Sequence, residues 1–289
     1  MTAEVWLDGE LMPSEEARIP ALSRAVLYGE GLFETLRTYG GVPFGWEAHL
    51  ERLRRSSREL GLPIPPTLAR VRDAVPRLLA RNALADGVLR LSLLAGEGEG
   101  GHAGRAERSH LLLHARALPA GLEEERRSGV SAITVRSDSP PSAGHKSSSY
   151  LRSVLAARRL APGGAREALF VDERGRLLEG AASNVLILEG RRLVTPPADG
   201  RILSGVTRAL VLELAPSLGL EPSEADIEVA RMERADALLI TSSVIEVLRV
   251  SSIDGKAVGG SGPNAALASL QRAYRELVRR ETGWGEAVR

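Results

Sequence analysis

The first part of the chain contains short runs of alternating or apolar residues separated by turn-forming residues. Residues 32–38, 88–94 and 109–115 have the spacing typical of strands. Asp8-Gly9 lies in the middle of the run 5–12, and this pair of residues is typical of a tight hairpin. The pattern therefore predicts a set of strands connected by turns.

Two stretches between these runs repeat their apolar positions with the period of a helix. Residues 47–60 and 68–83 are both amphipathic, and Pro63–Pro66 separates them. The apolar face of the first helix is marked by three leucines: Leu50, Leu53 and Leu60. Strands and amphipathic helices together predict a small α/β domain over residues 1–117.

The rest of the chain is richer in short apolar runs. After a connection at residues 118–129, a larger domain is predicted over residues 130–289. Its predicted strands are 130–135, 167–171, 177–178, 184–188, 193–195, 236–240 and 246–250, and its predicted helices are 150–160, 208–218 and 264–282. The predicted fold class is α+β, with a small N-terminal α/β domain and a larger, β-rich C-terminal domain that also carries helices.

Composition and charge exclude several classes of protein. At 289 residues, of which 43% are hydrophobic, the chain is long enough for two domains with substantial cores. The net charge of +1 provides no general basic field for nucleic acid or an anionic membrane, and no apolar run is long enough to span a bilayer. Without cysteine, disulfides and thiolate metal sites are excluded, and no metal site is predicted. A cytoplasmic enzyme without nucleic-acid or membrane partners is therefore expected.

Lysine is nearly absent from the chain. Only two of the 38 basic residues are lysines, Lys146 and Lys256. Lys256 follows Asp254-Gly255 in a predicted hairpin turn, where it is an ordinary exposed cation. Lys146 lies instead among the small polar residues of His145–Tyr150. A lysine can lose its proton and condense with an aldehyde, whereas an arginine cannot, so Lys146 is either a reactive amine or an ordinary surface lysine.

Four further features are suited to binding an anion or a heterocycle. Gly205-Val206-Thr207 opens a predicted helix, whose first N–H groups either bind a phosphate or are simply capped. Thr241-Ser242-Ser243 is either a second anion site or an ordinary polar strand end. Glu179 begins a loop of small residues, where it either pairs with a protonated ring nitrogen or is exposed. Arg52 either binds a phosphate or faces solvent.

The order and spacing of these features resemble those of the class IV aminotransferases, the fold-type IV pyridoxal-phosphate enzymes. Residues 28–37 (YGEGLFETLR) resemble the first block of the family, with Glu30 where aspartate is usual, and residues 49–53 (HLERL) resemble the second. The likeness extends from about Leu22 to about Lys256. The family includes branched-chain and D-amino-acid aminotransferases, (R)-amine transaminases and 4-amino-4-deoxychorismate lyases.

This resemblance implies pyridoxal 5'-phosphate as the cofactor and Lys146 as the lysine that binds it and transfers the proton. It implies that Glu179 faces the pyridine nitrogen. The other cofactor-binding positions that it implies are Arg52, Tyr150, Ser183, Asn184, Leu203, Val206, Thr207 and Ser243. It also implies a homodimer, an active site between the small and the large domain, and an amino donor and a 2-oxo acid as substrates.

The resemblance implies six positions that contact substrate. Four of them stand where branched-chain enzymes have pocket residues: Tyr28, Phe33, Arg37 and Arg90. The other two are Ser243 and Val244, and Val244 is expected near the substrate carboxylate. Ala95 stands where D-amino-acid enzymes have a carboxylate-binding arginine, which argues against that subtype. The three residues between Lys146 and Tyr150 match lyases and D-amino-acid enzymes better than branched-chain enzymes.

The hypothesis is therefore an aminotransferase that moves an amino group between a small apolar, branched-chain-like amino acid and a 2-oxo acid. The first alternative is a 4-amino-4-deoxychorismate lyase, and others are a D-amino-acid or (R)-amine transaminase. A protein that binds pyridoxal phosphate without catalysis is a hypothesis from a different class.

Overall fold

A computed structural model describes residues 3–160, 164–260 and 264–285 of the chain. These residues form two compact units. Unit 1 consists of the described residues of Met1–Leu118, His145–Ser149 and Val278–Arg289, and unit 2 of those of Pro119–Gly144 and Tyr150–Leu277. The segment that carries Lys146 thus packs within unit 1. The domain boundaries derived from the sequence stay a prediction.

Unit 1 is built around an antiparallel sheet. Its strands are β1 (Glu4–Leu7), β2 (Glu10–Pro13), β3 (Gly31–Tyr39), β4 (Val42–Pro43), β5 (Val88–Ala95) and β6 (Ser109–Arg116), and its helices are α1 (Arg24–Tyr28), α2 (Trp46–Leu60) and α3 (Val71–Arg81). The strand order is β2-β1-β6-β5-β3-β4, so the long strands β3, β5 and β6 are neighbours. The predicted hairpin at Asp8-Gly9 is present between β1 and β2.

One face of this sheet forms the core of unit 1 together with α2 and α3. Leucines that lie opposite each other on β3 and β5 are at most 1% exposed: Leu32, Leu36, Leu89 and Leu93. Leu50 and Leu53 of α2 join this core, as predicted. Leu60 is 43% exposed, so its assignment to the apolar face is wrong. It is the last residue of α2, which ends at Gly61 in a left-handed conformation.

Unit 2 contains a larger sheet with parallel and antiparallel pairs. Its strands are β7 (Val130–Arg136), β8 (Glu167–Val171), β9 (Arg176–Gly180), β10 (Asn184–Glu189), β11 (Arg192–Thr195), β12 (Glu221–Glu224), β13 (Ile227–Glu228), β14 (Ala237–Ser242), β15 (Glu246–Ile253) and β16 (Lys256–Ala257). Its helices are α4 (Leu122–Ser128), α5 (Leu151–Arg158), α6 (Val206–Leu214), α7 (Val229–Arg234) and α8 (Ala265–Thr282), whose last residues are grouped with unit 1. The strand order over the described residues is β12-β11-β10-β14-β15-β7-β8-β9-β13, and β16 pairs with β15.

This mixture of helices and sheets confirms the predicted fold class. The sequence pattern missed the short elements α1, α4, α7, β12 and β13. In α4 the reason is visible, because Glu123–Glu125 in the first turn and Arg126-Arg127 in the last suit the helix dipole without creating an apolar period. In the part of the chain that the structure describes, no helix is long and apolar enough to cross a membrane.

Candidate active site

The segment that carries Lys146 lies along the first residues of β3. The Phe33 N–H donates to the Lys146 carbonyl over 2.8 Å, and the Ser148 N–H donates to the Gly31 carbonyl over 2.8 Å. A Cβ on Gly31 would be 2.9 Å from Ser148 Oγ, so the close approach requires glycine. These backbone bonds hold Lys146 Nζ 4.6 Å from the centre of the Phe33 ring.

Arg90 lies against the same Phe33 ring. The central carbon of its guanidinium is 3.5 Å from the ring centre, a cation–π contact. On β6, His114 is directly opposite Arg90, and the pKa of His114 is lowered by burial and by the charges of Arg90 and Arg116. The structure therefore brings together Lys146 and two predicted substrate residues. His114 was missed, although the pairing of two recognised strands would have pointed to it.

The two other predicted substrate residues of unit 1 have different neighbours. Arg37 lies further along β3, with its guanidinium 4.4 Å from the centre of the Tyr39 ring. Tyr28 ends α1 and is 46% exposed, and the Arg24 guanidinium is 5.0 Å from its ring centre. Arg24 also forms an ion pair with Glu30 over 2.6 Å. The glutamate that replaces the usual aspartate of the family therefore has a local partner.

Arg52 belongs to a buried cluster with Glu34 and His49. Arg52 donates to both oxygens of Glu34, over 2.9 Å from Nε, and His49 Nδ1 lies 2.6 Å from Glu34 Oε2. Burial alone would raise the pKa of Glu34, but the charge and hydrogen bonds of Arg52, aided by His49, lower that pKa to about 2. Burial lowers the pKa of His49. The cluster thus combines a carboxylate, a guanidinium and a neutral imidazole, and Arg52, at 6% exposed, does not face solvent.

In unit 2, Glu179 and Asn184 hold the backbone of Leu203 from both sides. The Leu203 N–H donates to Glu179 Oε2 over 3.0 Å, and the Asn184 side-chain amide donates to the Leu203 carbonyl over 2.8 Å. A Cβ on Gly205 would meet Asn184 Oδ1 at 1.8 Å, so glycine is needed there. Three predicted cofactor residues therefore form one connected group.

The beginning of α6 and the end of β14 adjoin this group. Gly205 is the N-cap residue of α6 and offers no side chain to cap it, and Thr207 in the first turn is 3% exposed. Thr241 pairs with the first residue of β10, and its buried hydroxyl has no hydrogen-bond partner among the described residues. Ser243 and Val244 follow in the turn after β14. Helix N–H groups and hydroxyls of this kind are suited to a phosphate.

Tyr150 contacts the loop between β9 and β10, and Ser183 belongs to this loop. The Tyr150 hydroxyl donates to the Ala181 carbonyl over 3.0 Å. The Ser183 hydroxyl donates over 2.7 Å to Glu167, the first residue of β8. Glu167 was missed in the sequence, where the only signal is a carboxylate at the start of the apolar run 167–171.

Each unit supplies groups of the kind that pyridoxal phosphate requires. Unit 1 provides the amine of Lys146, which suits an aldehyde. Unit 2 provides the fixed carboxylate of Glu179, which suits a protonated ring nitrogen, and the helix N-terminus at Val206-Thr207, which suits a phosphate. Within its own unit, each of these groups therefore fits one part of this cofactor.

Residues 31–253 match the family model of amino-transferase class IV. Because this match covers more than half of the 289 residues, the protein belongs to the class IV aminotransferase family. The family inferred from the sequence motifs is thereby confirmed.

The relatives are named for different activities. The chain is 31% identical, over 99% of both chains, to a protein of Methanocaldococcus jannaschii provisionally named a branched-chain-amino-acid aminotransferase. It is 30% identical to the aminodeoxychorismate lyase of Bacillus subtilis, over 95% of this chain and 94% of the lyase. Among solved structures, a T.th. branched-chain amino acid aminotransferase complexed with N-(5'-phosphopyridoxyl)-L-glutamate aligns with a TM-score of 0.86 and 26% identity over 98% of both chains.

Proposed function

We propose that the protein is a pyridoxal-phosphate-dependent aminotransferase that moves an amino group between a small apolar amino acid and a 2-oxo acid. The observation that carries the proposal is the position of Lys146, whose amine lies against Phe33 beside Arg90 in a chain with only two lysines. Membership of class IV supports it, as does the relative whose structure contains a phosphopyridoxyl glutamate.

When bound, pyridoxal phosphate supplies an aldehyde carbon and a ring that accepts electrons from the carbon bearing the amino group. Lys146 holds the cofactor through its amine and moves the proton at the substrate Cα. Glu179 accepts the hydrogen bond of the protonated ring nitrogen, and the Leu203 N–H keeps this carboxylate in place. The first N–H groups of α6 bind the phosphate, together with the hydroxyls of Thr207 and Ser243.

Two features of unit 1 suit an apolar amino acid and argue against the D-amino-acid subtype. Phe33 is 2% exposed and offers an apolar surface, and Arg90 offers a cation for a carboxylate. Ala95 is fully buried in the apolar core, on the face of β5 opposite to Arg90. An arginine at this position would place a charge in that core, so the D-specific arrangement does not suit this strand.

A second candidate function is that of a 4-amino-4-deoxychorismate lyase, which releases pyruvate and needs no 2-oxo acid as acceptor. The observation that favours it is the similarity to the Bacillus subtilis lyase, at 30% identity against 31% for the first relative. The spacing of Lys146 and Tyr150 supports it as well.

The visible absorption spectrum of the purified protein with bound cofactor separates these functions. On adding an amino donor without an acceptor, we expect L-leucine or L-glutamate to bleach the cofactor band. Bleaching only by D-alanine or an (R)-amine would reverse the stereochemical assignment. Pyruvate release from 4-amino-4-deoxychorismate, without bleaching by any amino acid, would replace the aminotransferase by the lyase.

The scarcity of lysine gives a sharp test of the role of Lys146. Borohydride reduction of the loaded protein should attach the cofactor to the peptide that contains Lys146. K146A should lose this label and all turnover, while the matched control K256A, in the β15–β16 hairpin, keeps both. Turnover that persists in K146A would refute the assignment, and labelling without turnover in the wild type would support a binding protein.

We also propose a homodimer. Four large residues in and near α1 are exposed by 46–69%: Leu22, Val26, Leu27 and Tyr28. Residues of α5 are similarly exposed, with Leu151 at 65% and Leu155 at 50%. A second copy of the chain would remove this apolar surface from water. Light scattering should give twice the chain mass for the wild type and a smaller mass for L27E, and a wild-type monomer would contradict the proposal.

A further inference from the structure

One buried carboxyl group is not used by the proposed mechanism. Glu167 is 5% exposed. One of its oxygens accepts the N–H of Ala168 over 3.0 Å and that of Ala181 over 3.1 Å, and the other accepts the Ser183 hydroxyl over 2.7 Å. Its hydrogen-bond partners are uncharged, and the charge of the neighbouring Arg166 affects its pKa less than burial does, so the carboxyl group chiefly organises the local backbone.

Glu167 contacts a tight loop, Gly180–Ser183. The loop is closed by a hydrogen bond of 2.8 Å from the Gly180 N–H to the Ser183 carbonyl. A Cβ on Gly180 would lie 2.2 Å from Ser183 Oγ and 2.9 Å from Glu167 Cδ, so this packing leaves space only for glycine. Glu179 directly precedes the loop and Asn184 directly follows it. The position of the loop therefore sets the positions of both residues.

Tyr150 is connected to the same loop. The Tyr150 hydroxyl donates to the carbonyl of Ala181, the residue whose N–H is bonded to Glu167. We propose that Glu167 is a positioning residue for cofactor binding, which fixes the loop Gly180–Ser183 and through it Glu179, Asn184 and Tyr150. This inference rests on the proposed function, because it gives these residues a cofactor to bind.

A conservative variant is available at this position. Burial raises the pKa of Glu167, and the hydrogen bonds from Ser183 and from the backbone, together with the charge of Arg166, offset this only in part. A glutamine has nearly the same shape and no charge. Its carbonyl can accept the two N–H groups, and the Ser183 hydroxyl can turn to accept from its amide. We therefore expect E167Q to preserve the loop and E167A to release it.

The decisive measurement is the affinity of the cofactor-free protein for pyridoxal phosphate, obtained by titration of its absorbance. E167A should bind about tenfold more weakly, by analogy with metal sites, where removing a residue that orients a metal ligand typically costs about ten- to a hundredfold in affinity. E167Q should stay within about threefold of the wild type by the same reasoning. If Glu167 served stability alone, E167A would lower the melting temperature of the cofactor-free protein without changing its affinity for pyridoxal phosphate.

A matched control is present in the same hairpin. Asp172 is also a buried carboxylate, at the opposite end of β8 and β9, where it accepts the N–H groups of Arg174 and Arg176. D172A should lower the stability of the protein but keep the wild-type affinity for pyridoxal phosphate. If E167A does not fold, G180A displaces the same loop from the other side, and we expect a similar loss of affinity.

The outcomes are distinguishable. Wild-type affinity in E167A and in G180A would overturn the inference, as would an equal loss of affinity in D172A. If the wild type itself binds no pyridoxal phosphate, the proposed function fails first.

Discussion

Two buried carboxyl groups, one in each unit, are stabilised in opposite ways. Glu34 in unit 1 contacts the guanidinium of Arg52, and its pKa is lowered to about 2. Glu167 in unit 2 contacts a hydroxyl and backbone N–H groups, and burial raises its pKa. Both are at most 5% exposed, so the difference comes from their partners and not from their burial.

This difference shows what each carboxyl group can do. A charge-compensated carboxylate orients a second charge, and Glu34 thereby fixes the guanidinium that is predicted to contact the cofactor phosphate. A carboxyl group whose hydrogen-bond partners are uncharged orients backbone, and Glu167 thereby fixes a loop. Removing the first leaves an imbalance of buried charge, whereas removing the second leaves only hydrogen bonds to be replaced.

The largest effect is therefore expected for E34Q. Breaking a buried ion pair by removing one partner typically costs about 3–5 kcal/mol of unfolding free energy. Urea denaturation of the cofactor-free protein measures this cost. The control is E51Q on the same helix as Arg52, because Glu51 and its partner Arg58 are both more than 60% exposed. We expect less than about 1 kcal/mol there, and an equally small loss in E34Q would contradict the comparison.

A smaller effect is expected from the pH dependence of the Glu34 cluster. The pKa of His49 is lowered in the folded protein. Below pH 6.5 its imidazole therefore binds a proton more readily in the unfolded chain than in the folded one. The contribution of His49 to the unfolding free energy is therefore complete above pH 6.5. It is lost as the pH falls, by up to about 1.4 kcal/mol per pH unit. Glu34 adds its own loss only below pH 4.5, as the pH falls towards its lowered pKa of about 2.

The variant H49Q tests whether His49 causes the loss of stability below pH 6.5. Its unfolding free energy should change less between pH 6.5 and about 5 than that of the wild type. His114 is the matched control, since its pKa is also lowered but it is only half-buried. H114Q should flatten the profile less than H49Q, and equal slopes in the wild type and H49Q would show that His49 is not part of the effect.

The sequence was sufficient for the features that depend on local pattern. The hairpin at Asp8-Gly9, the opening of a helix by Gly205-Val206-Thr207 and the long strands of unit 1 follow from turn chemistry and periodicity, although α6 begins two residues earlier than the predicted helix 208–218. Family motifs around Lys146 were sufficient for the aminotransferase class and its cofactor, which the family match and the relatives confirm.

The contacts that arrange the candidate site were not predictable in this way. Arg52 and Glu34 come from a helix and a strand, and their pairing depends on how α2 packs on β3. The contact between Glu167 and Ser183 depends on the close packing at Gly180. Neither contact follows from hydrophobic periodicity or from turn-forming residues. The role of Arg52 at the cofactor phosphate stays a prediction, because its described contacts include Glu34.

The smallest effect on the unfolding free energy is expected for E167Q. The pH dependence of this effect has the opposite sign to that expected for E34Q. A carboxyl group with a raised pKa stabilises the protein most below pH 4.5, and this contribution is lost as the pH rises through the raised value. Glutamine does not titrate, so its contribution to stability does not change with pH. E167Q should thus cost less than about 1 kcal/mol in the same urea measurement, and its stability relative to the wild type should improve from pH 4.5 upwards. If E167Q instead lost as much stability as E34Q at neutral pH, Glu167 would be an ionised, charge-compensated group, and the contrast between the two units would disappear.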